Sequence, residues 1–101
     1  MLRLFKVTEH SLTPEYQEGD FVLTVKIPLF CNRYQAGDIV VFDHPTYGRM
    51  IKRVQAVFPE KSMLFVTGSH PESIDSRHFG PIQLDSVLGK VVWHIKKKAP
   101  E

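Results

Sequence analysis

The sequence predicts an all-β fold, a small twisted sheet or partly open barrel, on three observations. Apolar residues recur with a period of two, turn signals separate the apolar runs at short intervals, and no window of ten or more residues holds a 3.6-residue period. The first clear run, "FVLTVKI" (21–27), places Phe21, Leu23, Val25 and Ile27 on one face of a strand and Thr24 and Lys26 on the other. "IVVF" (39–42) is a short continuous apolar run, suited to a strand buried on both faces. Alternation returns in "RMIKRVQAV" (49–57), "MLFV" (63–66) and "VLGKVVWHI" (87–95). Turn signals lie between them at Gly19-Asp20, Gly37-Asp38, Asp43-His44-Pro45 with Gly48, Pro59-Glu60, and along the segment 68–81. The two Gly-Asp pairs, about 18 residues apart, read as two similar turn-to-strand junctions and not as a functional repeat. The apolar stretch "IPLF" (27–30) is expected in the core.

A chain of 101 residues makes one domain, 1–101 with a basic tail at 95–101. It is long enough to bury roughly 60–65% of its unfolded surface without a disulfide or metal. With 43% apolar and 24% charged residues it belongs with neither disordered nor fibrous chains. A net charge of +2 is too small to argue for nucleic acid, and the run Lys96, Lys97, Lys98 reads as a solvated tail. A nucleic-acid-binding barrel would have only that tail with Tyr34, Phe42 and Tyr47 to support it. Cys31 is the only cysteine, which excludes an internal disulfide and fits a reducing, cytoplasmic location. The histidines at 10, 44, 70, 78 and 94 include no pair at metal-ligand spacing, so neither metal nor cofactor is expected. Charged residues at 3, 6 and 9 interrupt the amino-terminal apolar residues, so no signal peptide or membrane span is expected, while peripheral membrane contact stays open.

Three places carry chemistry. In the run around residue 52, alternation puts Lys52 in one row with Met50, Val54 and Ala56, a cation among apolar neighbours. Burial disfavours a lysine's charged form and turns the amine into a usable base, at about 1.36 kcal/mol per pKa unit. The plainer alternative is a lysine that reaches solvent at the sheet edge or pairs with a carboxylate such as Asp43. Ser11 precedes "LTPEY", a one-turn start with Thr13 as cap and Pro14 in the first position, and a hydroxyl there becomes a nucleophile only beside a base. The segment "GSHPESIDSRHFGPI" (68–82) is a long loop in which Asp75 and Arg77 can pair, with the Ser73 hydroxyl open to a polar neighbour. No Gly-x-Ser-x-Gly elbow is present.

Taken in order, "SLTPEYQEGDFVL", "GDIVVF", "IKRV", "GSHPESIDSRHFG" and "LGKVV" resemble the successive motif boxes of the type I signal peptidases, the Ser-Lys serine proteases, over residues 5–95. The self-cleaving repressor proteases share that logic. The resemblance implies Ser11 as nucleophile, Lys52 as general base, Ser73 helping to orient Lys52, and Asp75 with Arg77 as a structural pair. It also implies a protein substrate bound as an added strand and cut behind an amino-terminal leader. Within the family, size, motif order and the lack of an anchor make the chain most similar to the small soluble nickel-type superoxide dismutase maturation proteases.

The chain departs from the pattern in places. Leu12 stands where members carry Met, a mild exchange. Glu9 stands where they carry Gly or an oxyanion-binding Ser, and losing one such donor costs about 100- to 1,000-fold in rate. Gly68-Ser69-His70 replaces Gly-Asp-Asn, one residue closer to Ser73. The competing expectation is therefore an inactive peptide-binding module on the same fold.

Overall fold

The computed structural model describes residues 2–8, 12, 15–26 and 34–96. Seven strands run through them: β1 (Leu2–Lys6), β2 (Phe21–Val25), β3 (Ile39–His44), β4 (Gly48–Phe58), β5 (Met63–Thr67), β6 (Ile82–Gln83) and β7 (Val87–Ile95). They form one antiparallel sheet in the order β1-β2-β7-β3-β4-β5-β6. The all-β expectation holds, and β2 to β5 and β7 lie on the apolar runs. The amino-terminal segment, which charges interrupt, is itself the edge strand β1. A single helical turn, α1 (Ser76–Phe79), interrupts the long loop, with the Asp75 side chain accepting the Arg77 N–H as its cap. The caps expected at Thr13 and Pro14, the stretch "IPLF" and the tail beyond Lys96 lie outside the described residues.

The continuous run at β3 has a direct cause. Val40 and Phe42 pack with Met50, Val54, Leu64 and Val66 on one side of the sheet, whereas Ile39 and Val41 pack with Phe5, Val7, Val22 and Ile51 on the other. Strand β3 sits between two cores, so both of its faces must be apolar.

The two Gly-Asp turns are built alike, bond for bond. Asp20 N donates to Gln17 O and Asp38 N to Gln35 O at 3.0 and 3.1 Å, while the two aspartate side chains accept from Gln17 N and Gln35 N at 3.0 and 2.9 Å. Gly19 and Gly37 take φ of 97° and 100°, a region that favours glycine. Each turn then docks on a valine: Gly19 and Asp20 exchange backbone bonds with Val7, Gly37 and Asp38 with Val54, at 2.7–2.8 Å. The likeness is a matter of turn chemistry, as the sequence indicates.

In β2 the structure reverses what hydrophobicity alone favours. Phe21, Leu23 and Val25 share a face, but Val22 and Thr24 on the other face are the buried ones. Thr24 is accepted in the core because its hydroxyl donates to Arg3 O at 3.2 Å and because β7 presents Gly89 there. A Cβ on Gly89 would stand 2.7 Å from the Thr24 Oγ1, so only glycine fits.

Candidate active site

Strand β4 pairs with β3 from Gly48 to Arg53 and with β5 only from Arg53 onward. The β5-facing edge of residues 48–52 is therefore not paired with β5. Across from it runs β1, the terminal strand of the sheet, and a cleft of about 340 Å³ lies between them. Its floor is apolar, with Phe5, Val7, Val22, Met50 and Ile51, and Lys6 and Arg49 stand at its sides. The Arg49 guanidinium lies 5.1 Å from the Phe5 ring centre, bridging the two walls.

Lys52 follows Ile51 on β4 and is 1% exposed. It occupies the row of Met50 and Val54, both core residues, as its spacing requires. The solvent-reaching alternative is thereby overturned. Asp43 is engaged elsewhere, pairing with Arg49 at 3.1 Å on the surface.

The segment after β5 starts level with Lys52, since Arg53 pairs with Thr67 and Gly68 comes next. Asp75, wholly buried, holds it there. Its Oδ2 accepts from Gly68 N at 2.8 Å and Arg77 Nη2 at 2.6 Å, its Oδ1 from Arg77 N and Arg77 Nε at 3.0 Å each. Burial pushes the Asp75 carboxyl up, but the bonds from Arg77 and Gly68 outweigh it and hold the group below the usual carboxylate range. The same bonds raise Arg77 above its ordinary value. Ser73, two residues before this anchor, is half-buried and donates its backbone N–H to His70 O at 3.1 Å.

Ser11 lies outside the described residues, but its neighbours are tied to β4. Leu12, 1% exposed, belongs to the same core as Ile51. Tyr16 N closes a turn onto Leu12 O at 3.0 Å, and Glu15 makes an ion pair with Arg53. Burial and the Glu15 charge push the Tyr16 phenol up, against the opposing pull of Arg53. Three contacts escaped the sequence reading. Ser76, buried, accepts the Val66 N–H at 2.9 Å, and His94 stacks on Tyr16 at 4.2 Å while meeting Asp20 at 2.7 Å. Ser76 lies inside a recognisable motif. The His94–Asp20 pair spans 74 residues and has no local signal.

Tyr34 and Phe42 are core residues, so they offer nucleic acid no stacking platform. Among the described residues no group of three His, Cys, Asp or Glu side chains is placed to hold a metal ion.

A family model described as signal peptidase, peptidase S26, matches residues 1–61. The chain belongs to the signal peptidase family. It is thus a member of a peptidase family, whose substrates are proteins, and the matched span contains both position 11 and position 52 while ending before the Asp75 anchor. No curated protein matches the chain. Among the described residues, no helix of this signal peptidase family member is long and apolar enough to cross a membrane.

Proposed function

We propose that the chain is a serine endopeptidase in which Ser11 is the nucleophile and Lys52 the general base. The observation that carries this reading is the buried Lys52 on β4, directly after Ile51 of the cleft. A peptide extended along that cleft lies between β1 and β4, with an apolar floor for its side chains. Burial disfavours the ammonium form of a lysine, and the neutral amine is the form that accepts a proton.

Lys52 Nζ takes the Ser11 proton as Oγ adds to the scissile carbonyl carbon. The C–N bond then breaks, and the leaving amine takes that proton from Nζ. Water, deprotonated by the same amine, hydrolyses the acyl-enzyme and regenerates the Ser11 hydroxyl. Leu12 and Glu15, bound to the core and to Arg53, support the approach of residue 11 to β4. Ser73 orients the lysine amine from the segment that Asp75 anchors. The substrate is a protein carrying an amino-terminal leader, and the likeness to nickel-type superoxide dismutase maturation proteases makes that precursor the first to test.

Glu9, in place of an oxyanion donor, favours the second reading, a peptide-binding module without turnover. One experiment separates them. Ser11→Ala and Lys52→Met, the latter keeping the volume of the buried chain, should each abolish cleavage of a leader peptide while leaving its binding and the thermal transition in place. Cleavage at undiminished rate by both variants refutes the dyad, and binding without cleavage by the native chain establishes the module.

A further inference from the structure

The cleft between β1 and β4 carries charges of one sign. Among the described residues that line it, Lys6 and Arg49 are the charged ones, and no Asp or Glu stands with them. Arg3 adds a third cation. It alternates with Phe5 along β1 and so shares its face, and its guanidinium lies 4.7 Å from the centre of the Phe5 ring, against 5.1 Å for that of Arg49. One buried ring thus holds two exposed guanidinium groups, one from β1 and one from β4.

A cation held against an aromatic ring has lost much of its side-chain freedom before a ligand arrives, and the N–H fork of an arginine matches a carboxylate. Asp43 answers part of this charge, its Oδ1 accepting from Arg49 Nε at 3.1 Å, but it does not line the cleft. Strands β1 and β4 themselves contain no acidic residue. Low-dielectric walls between cations focus the field and draw anions in. The floor decides which anion. Val7, Val22 and Ile51 are apolar and buried, which suits the side chains beside a carboxylate and not a sugar-phosphate chain. Phe5, at 9% exposure, offers bases no stacking face.

We propose that the cleft selects peptides carrying an acidic side chain, its carboxylate held between Arg3 and Arg49 while apolar neighbours lie on the floor of Val7, Val22 and Ile51. The proposal rests on the reading of this cleft as the peptide site and names the substrate class that site prefers.

Short peptides of Ala, Ser and Val, capped at both ends, labelled with a neutral coumarin and identical but for a central Asp, Asn or Lys, are titrated into the Ser11→Ala chain by fluorescence anisotropy. The Asp peptide should bind about tenfold tighter than the Asn peptide, with the Lys peptide weakest and the preference shrinking as salt rises. Arg49→Gln should reduce the preference to about twofold, and Arg49→Glu should turn it toward Lys, both with unchanged circular dichroism. Equal binding of the Asp and Asn peptides, no binding of any peptide, or a preference that persists in the double variant of Arg3→Gln with Arg49→Gln overturns the proposal. An uncapped Asn peptide that binds as tightly as the capped Asp peptide assigns the arginines to a chain terminus, and equal competition by oligothymidylate assigns them to phosphate; either result also overturns it. The readout needs no turnover, so failure of the native chain to cleave tells against the Ser11 nucleophile, while the binding preference alone decides this proposal.

Discussion

Replacing Asp75 by Asn tests how the segment after β5 is held. Each carboxylate oxygen takes at least two donors: Oδ1 from Arg77 N and Nε, Oδ2 from Gly68 N and Arg77 Nη2. An amide keeps one oxygen and turns the other position into a donor, so one pair of bonds is lost whichever way it sits. If the NH₂ takes the Oδ2 position, it faces the Gly68 N–H and loses the Arg77 bond. If it takes the Oδ1 position, it faces the capping Arg77 N–H and the guanidinium Nε. Leaving a buried donor unsatisfied costs about 1–3 kcal/mol, and breaking a buried ion pair about 3–5 kcal/mol. Arg77 is 41% exposed and recovers water, which places the loss near the lower end, about 3 kcal/mol. For a chain of this size that is a fall in Tm of roughly 12–24 °C. Urea denaturation with the m-value checked is the assay. The Asp75 carboxyl titrates lower folded than unfolded, so its contribution is complete above the ordinary carboxylate range and is lost as pH falls through the depressed folded value. The gap between the native chain and Asp75→Asn should therefore close in strong acid. A loss below about 1 kcal/mol at neutral pH, or a gap indifferent to acid, refutes the anchoring role.

Gly89→Ala should destabilise by about 1–3 kcal/mol, because its Cβ would meet Thr24 Oγ1 at 2.7 Å and Thr24 Cβ at 2.8 Å. Much of that loss should return in the double variant with Thr24→Gly, read by thermal melting. Leu12→Ala should cost about 2–5 kcal/mol and, if the Ser11 assignment holds, lower kcat more than KM. Normal kcat in a folded variant would show that the packing of Leu12 does not position residue 11. Glu15→Arg or Arg53→Glu alone should slow cleavage with little loss of stability, as exposed pairs contribute about 0–1 kcal/mol. Restoration of the rate in the charge-swapped double variant is the expected result, and no restoration means the pair does not align the turn on β4.

Much of this molecule is legible along the chain because its causes are local. Alternation locates the core strands, glycine followed by aspartate specifies two turns whose bonds close within four residues, and Asp75 reaches Arg77 two positions away. Lys52 is recognisable because its row partners Met50 and Val54 are apolar, and both belong to the core. β1 is harder to read, since Arg3 and Lys6 obscure a strand that owes its place to pairing with β2.

The sequence by itself determined the all-β class, the turns and the row in which Lys52 lies, because these depend on periods and on neighbours a few residues apart. Only the tertiary structure decided that β2 buries Val22 and Thr24 in place of Phe21 and Leu23, that β1 and β4 leave a cleft between them, and that His94 meets Asp20. A period of two divides a strand into faces but carries no information about which face another layer will cover. That choice is made by strands brought together from opposite ends of the chain.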